Sequence, residues 1–201
     1  MKKTILLTSI LFSSYTLFAE GLSCRNPKPF IVEDHAQKSA YENCLRNGMT
    51  YWYKDDGSIK SEVNFVDGKE NGLYTSYHTN GKEKIVVHYV NAQKDGIQKI
   101  YYDNGQLGSQ VNYKMGRREG VMTDWDAEGY KSAEVFYKNN YKVGLKKYFN
   151  HKGNVVRTET YKMDRNPVMV KLLKDKHDEV LVDLAKYGLV PEDAPKEERF
   201  R

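Results

Sequence analysis

A glycine recurs every 24 residues, at Gly48, Gly72, Gly96, Gly120 and Gly144, without a slip. A second set follows nine residues later, at Gly57, Gly81, Gly105, Gly129 and Gly153. Aromatic residues keep the same beat. Tyr53, Tyr77, Tyr101, Trp125 and Phe149 stand five places after the first glycine, and Phe65, Tyr89, Tyr113, Tyr137 and Tyr161 seventeen places after it. A fixed period of this length means stacked copies of one supersecondary unit. Residues 48–167 are therefore five copies of a 24-residue repeat.

Each copy reads as a β-hairpin. In its first arm, apolar residues fall one and five places after the glycine, from Met49 and Tyr53 to Leu145 and Phe149. In its second arm they fall at fifteen and seventeen, as Val63 and Phe65, Val87 and Tyr89, Val111 and Tyr113, Val135 and Tyr137. The fifth copy has Glu159 before Tyr161. Strand side chains alternate between faces, so even spacings predict one shared face for all of these residues. Asp56-Gly57, Asn80-Gly81 and Asn104-Gly105 are hairpin-turn pairs, suited to positive φ. A second turn links successive hairpins. Its key position holds Gly68, Ala92, Gly116, Asn140 and Asp164, and Ala92 is the one residue there that resists the left-handed region.

Short links between sequence neighbours predict a mainly β fold: a single-layer, twisted, antiparallel meander of five hairpins and ten strands, with short helices at both ends. One hairpin alone is marginal, so stability must come from stacking. The 201 residues, 39% apolar and 29% charged, fit one domain with a modest core. Sixteen tyrosines suit a half-buried sheet, where the ring packs and the hydroxyl stays wet.

Residues 1–19 have the pattern of a secretory signal: Lys2 and Lys3, an uncharged stretch from Thr4 to Phe18, and Ala19 as the last residue removed. A membrane anchor or a lipoprotein on Cys24 is the alternative. Removing Lys2 and Lys3 leaves 30 basic residues against 27 acidic ones, a balance too mild to indicate nucleic acid. Export places the chain in the periplasm or outside the cell, and there Cys24 and Cys44 are expected to form a disulfide. Residues 20–47 are expected to be a cap whose helix, Glu33 to about Asn47, covers the first sheet edge with Ala36, Ala40, Tyr41, Cys44 and Leu45 inward. Residues 168–201 form the other end. Val168 to Leu173 is a strand or the start of a helix, Asp178 to Tyr187 is a short helix closed by Gly188 with Leu181, Leu184 and Ala185 inward, and a charged tail follows.

No catalytic constellation is visible. His35, His78, His88, His151 and His177 form neither an HExxH pair nor a close metal cluster, and no nucleophile elbow or phosphate loop is present. No cofactor is expected. Binding is the expected work. Residues two, four and six places after each glycine should point away from the regular face, and there stand Trp52, Tyr74, Ile100, Tyr102, Met122 and Tyr148, with Phe136 from a second arm. Such rings dominate interface energetics, although terminal segments packing on them would account for them equally well. A basic set, Arg117 and Arg118 near Lys114 with Lys142, Lys146, Lys147 and Lys152, is a second candidate surface, or a solvated edge that resists strand pairing.

The spacing in Tyr101 to Gly120, YYDNGQLGSQVNYKMGRREG, resembles the MORN repeat, and most closely its bacterial YwqK-type antitoxin-like variant. The resemblance covers Gly48 to about Asn166 and implies a run of antiparallel hairpins. It also implies a non-enzymatic scaffold that binds protein or lipid, and the variant's label implies a toxin as the protein partner. The chain is thus expected to be a periplasmic protein-binding repeat protein of immunity type. The alternative is an envelope scaffold that binds several proteins or an anionic lipid surface. A sugar binder or small hydrolase using exposed aromatics is a third class. No catalytic residue belongs to the repeat.

Overall fold

The structure, a computed structural model, describes residues 30–43, 45–161 and 184–189. The leader, both cysteines and the segment Val168 to Leu173 lie outside the described residues, and so does the disulfide expected between Cys24 and Cys44. Among the described residues, fourteen strands form one antiparallel sheet. Before the repeats come β1 (Phe30–Glu33) and β2 (Gln37–Glu42). The repeats supply β3 (Leu45–Tyr53) and β4 (Ile59–Val66), β5 (Lys69–Tyr77) and β6 (Glu83–Val90), then β7 (Gln93–Lys94), β8 (Gly96–Tyr101) and β9 (Leu107–Lys114). They end with β10 (Arg117–Arg118), β11 (Gly120–Trp125) and β12 (Lys131–Lys138), then β13 (Tyr141–Phe149) and β14 (Val155–Tyr161). Neighbours in sequence are neighbours in the sheet, with the short β7 and β10 pairing β6 and β9. The meander expected from the short links is the fold.

The two kinds of turn divide their chemistry differently from the sequence reading. At the hairpin tips only the glycine takes positive φ, +80° at Gly57 and +82° at Gly81. These are three-residue loops, closed by Lys54 N–H to the Ser58 carbonyl and Gly57 N–H to the Lys54 carbonyl. The preceding Asp or Asn instead accepts a backbone N–H two residues on, as Asp56 does from Ser58 and Asn104 from Gln106, both at 2.8 Å. Where Glu128 and Lys152 replace it, a residue at the mouth of the loop takes over: Asp126 accepts from Tyr130, and Asn150 from Lys152 and Asn154.

The links between repeats are the two-residue turns with positive φ at both positions: Asp67-Gly68, Asn91-Ala92, Met115-Gly116 and Asn139-Asn140. Ala92 does adopt the left-handed region, at φ +63°. Each second residue donates its N–H to the carbonyl 22 residues earlier, Gly68 to Arg46, Ala92 to Glu70, Gly116 to Lys94 and Asn140 to Arg118. Consecutive links are thereby tied along one edge.

The first set of glycines does not lie in turns. Gly48, Gly72 and Gly144 stand inside β3, β5 and β13, and Gly96 and Gly120 open β8 and β11, all at positive φ. The register slips beside them: Val63 pairs with Tyr74 but Phe65 with Glu70, leaving Asn64 opposite a widened segment around Gly72. These are bulge glycines, and they bend the first arm of every repeat.

The helix expected over Glu33 to Asn47 is a correction. This region forms β1, β2 and the start of β3. Ser39 opposes Thr50 and Tyr41 opposes Arg46. Ser39 and Tyr41 thereby occupy the places that Val63 and Phe65 fill 24 residues later, so β2 is the second arm of a degenerate earlier copy. Available sheet pairing overrides a weak helical pattern here. Asp34 closes the β1–β2 turn by accepting from Ala36 and Gln37 at 2.7 and 2.8 Å, and among the described residues β1 is the first edge. At the other end, the expected helix lies outside the described residues up to position 183, Leu181 included; Leu184–Lys186 is helical and Gly188 (φ +62°) closes it in the Tyr187-Gly188 turn, but Ala185 faces solvent and Leu189 packs in its place.

The expected shared face is also corrected. Gly48 pairs with Phe65, Met49 with Asn64 and Thr50 with Val63. Directly opposed residues share a face, so Val63 and Phe65 lie with Thr50 and Trp52, whereas Met49 and Tyr53 lie on the other side. Even spacing fixes faces within an arm. Across a turn the loop sets the register, and here it joins odd positions to even ones.

Candidate functional site

The valine face is the packed one. Val63, Val87, Val111 and Val135 are 1, 1, 4 and 2% exposed. They form a row across the strands with Ser39, Thr50, Tyr74 and Gln98. Larger rings flank this row: Trp52 packs on Phe65 with centroids 6.4 Å apart, and Tyr74 meets Tyr89 edge-on at 6.1 Å.

Beside the valines runs a ladder of alternating charges and rings. The residue two places before each first glycine is Arg46, Glu70, Lys94, Arg118 or Lys142. Arg46 lies over Phe65 at 5.4 Å, Lys94 over Tyr113 at 5.0 Å, Arg118 over Tyr137 at 4.2 Å and Lys142 over Tyr161 at 4.8 Å. These are cation–π distances. Burial lowers the Lys94 pKa. Glu70 breaks the pattern, and Tyr89 below it has a raised pKa, first through burial and then through the Glu70 charge. The ladder was legible as a basic residue at a fixed phase in four copies of five, and the sequence reading passed over it.

The sequence-derived candidates do not gather into one patch. Trp52, Tyr74 and Tyr148 are on the valine face, not on a second face. Tyr148 lies between Lys146 (4.5 Å) and Arg157 (3.9 Å) and donates to Glu159, which also accepts from Tyr161. Those two hydroxyls, Tyr161 first, hold the Glu159 pKa down. Tyr102 sits at a hairpin tip and donates to the Trp125 carbonyl of the next repeat at 2.9 Å. Phe136 is buried on the opposite face. Arg117 is exposed in β10, just after the Met115-Gly116 link, while Arg118 is engaged with Tyr137.

The hairpin tips are joined by side chains reaching one repeat onward. Asn80 and Asn104 donate to the carbonyls of Asp103 and Ala127, and His78 Nε2 meets the Tyr101 carbonyl at 2.8 Å. His151 pairs with Asp126 at 3.0 Å and stacks on Tyr130. Among the described residues, no group of three His, Cys, Asp or Glu side chains is placed to hold a metal ion.

The opposite face, here the leucine face, carries Met49, Leu73, Ile97, Val121 and Leu145, each one place after a bulge glycine. Register sets Asn64, His88, Asn112 and Phe136 between them. The row divides in two. Met49, Leu73 and Ile97 are 37, 54 and 51% exposed. Val121 and Leu145 are covered by Leu184 and Leu189, which pack against Phe136 and Val143 with no exposure of their own. The seat is chemically specific. Phe136 replaces the Asn, His and Asn of the earlier copies, and Val143 stands where they hold Asn71, Asp95 and Glu119. The Leu189 carbonyl accepts the Leu145 N–H at 2.9 Å, an approach open because residue 144 is glycine.

These features define a class of protein: an open antiparallel sheet of tandem hairpins. The family described as "MORN repeat variant" matches residues 46–67, 70–91 and 94–115, three repeats in tandem. Each match begins on the ladder position Arg46, Glu70 or Lys94. No curated protein sequence matches the chain. Among solved structures, the chain is similar to a mutant S. aureus TarM in complex with fondaparinux, alpha-GlcNAc-glycerol and UDP, at 12% identity and TM-score 0.34, over 66% of this chain and 24% of that one. It is also similar to the accessory secretory protein 1, 2 and 3 structure from Streptococcus pneumoniae, at 11% identity and TM-score 0.23, over 79% and 24%. The chain spans about a quarter of the length of these structures.

Proposed function

We propose that the chain is a non-catalytic protein-binding repeat protein of the periplasm, and that its partner is an exported toxin which it neutralises. One observation carries the binding reading. The repeat keeps an aliphatic residue after every bulge glycine, yet in three copies of five none of the described residues covers it. Apolar side chains maintained in a row and left in water mark a contact surface. The immunity role rests on the resemblance of the repeat to antitoxin-like variants. The test is genetic and biochemical. Deleting the gene should cause self-intoxication only when a toxin encoded beside it is present, and the two purified products should form a complex. A harmless deletion beside an active toxin removes the immunity role.

The cation–ring ladder favours a second reading, an envelope scaffold on an anionic lipid surface, because Arg46, Lys94, Arg118 and Lys142 repeat along one face. Flotation with anionic vesicles at low and high salt tests it. Failure to float at either salt concentration removes it.

A further inference from the structure

We propose that the open half of the leucine face is a seat for one amphipathic α-helix of the protein partner, laid along the sheet axis with one heptad per repeat. This rests on the binding reading above and names its site and mode.

Three observations carry it. The first is spacing. Equivalent residues of successive repeats are two strands apart, about 9.6 Å at the usual strand separation. A helix rises about 10.5 Å over seven residues, so side chains at i, i+7 and i+14 meet Met49, Leu73 and Ile97 in turn. Met49 is the middle residue of β3 and Leu73 the middle residue of β5. A row through the middle of a twisted sheet follows its axis, where strand rotation displaces it least.

The second is chemistry. Asn64 lies between Met49 and Leu73, and His88 between Leu73 and Ile97. Half a heptad is about two strands' half-separation, so the helix residue at i+3 or i+4 falls over these polar groups. The partner helix therefore carries aliphatic residues at i, i+7 and i+14, with Gln, Asn or Ser between them. Asn64 donates to the Asn71 carbonyl at 3.0 Å, but its side-chain oxygen and the His88 ring would be buried unmatched under a purely aliphatic stripe.

The third is continuity. The same row, from the next repeat onward, already accepts a helical turn from this chain, with Leu184 and Leu189 seated around Phe136. The chain's own segment belongs at that end because Phe136 and Val143 make the seat wholly apolar. The open end keeps the same aliphatic ladder with polar rungs, which suits a partner that binds reversibly and arrives with matching polar groups.

The probe is a 21-residue helical peptide with leucine at i, i+7 and i+14 and glutamine at i+4 and i+11. The control is a peptide of identical composition with its leucines at i, i+5 and i+10. Full-length protein is titrated with each by fluorescence anisotropy. The heptad peptide should bind at least about tenfold more tightly than the control, and the exposed double variant Leu73→Asp/Ile97→Asp should lose at least about tenfold of that affinity. The variant's unfolding midpoint should match the wild type. Equal binding of both peptides, no binding of either, or undiminished binding by the folded variant overturns the proposal. The two readings fail separately. If a toxin complex forms and survives Leu73→Asp/Ile97→Asp, the seat is wrong and the binding function stands. If no complex forms with wild-type protein, the function itself falls.

Discussion

The amide of Ala92 donates to the carbonyl of Glu70 at 2.9 Å while its own backbone stands at φ +63°. The equivalent bonds are made by Gly68, Gly116 and Asn140, residues that enter this region at little cost. Ala92 is held there because the link has only two residues and the bond to the preceding repeat requires it. Ala92→Gly should therefore stabilise the protein by about 1 kcal/mol, and Gly68→Ala should cost a similar amount. Urea unfolding of the two variants checks both signs.

Glu70 stands where four other copies place Arg or Lys over the ring. Glu70→Lys would complete the ladder above Tyr89 and remove an acidic neighbour from it. We expect a gain of about 0.5–1 kcal/mol. The Tyr89 pKa should fall part of the way back, since burial, its larger cause, is unchanged.

Ser39 and Thr50 oppose each other, both with no exposure, and among the described residues neither hydroxyl has a hydrogen-bond partner. A buried polar group without a partner carries its full desolvation cost. Thr50→Val keeps the shape and removes the hydroxyl, and it should raise stability by about 1 kcal/mol. A loss of stability would show that this hydroxyl is satisfied in solution.

Gly144 and Gly120 are equivalent in sequence but not in surroundings. A Cβ on Gly144 would strike the Leu189 carbonyl and Leu184, whereas one on Gly120 meets nothing within 4 Å. Both stand at positive φ, so backbone strain is common to the two substitutions. Gly144→Ala should cost markedly more than Gly120→Ala, and limited proteolysis should cleave near Leu184 faster in Gly144→Ala alone.

The Tyr77 hydroxyl donates to Glu62 at 2.6 Å, and its pKa is raised to about 12, by burial first and this bond second. The folded protein holds that proton where the unfolded chain releases it. The contribution is complete below the unfolded pKa of about 10 and is lost as pH rises from there toward 12. Absorbance titration should show Tyr77 ionising late, at about 12, with that late step lost in Tyr77→Phe while the raised Tyr89 step remains. That variant should also lose about 1 kcal/mol with the hydrogen bond.

Most of the architecture was legible because glycines and rings keep a strict period, which fixes hairpins, links and meander together. What the period could not fix was parity across a turn. Met49 and Val63 are both apolar and both odd, yet the loop register sends them to opposite faces, so one row is packed and the other is open. Residues 33–47 misled for a different reason. Ala36, Ala40 and Tyr41 fit a helical stripe, but Ser39 and Tyr41 are also the worn remnant of an earlier second arm. The seat of the C-terminal turn was readable in Phe136, which departs from Asn64, His88 and Asn112 at the same phase. The missing step was knowing that Phe136 shares a face with Val121 and Leu145.

The open apolar row is the claim on which the functional account stands, and hydroxyl-radical footprinting of the free full-length protein tests it most directly. Leu73 should be oxidised several-fold faster than Leu184, a residue of the same type with no exposure, and Ile97 should react as readily as its accessibility requires. Equal protection of Leu73 and Leu184 would mean that this face is already covered, and would contradict the account.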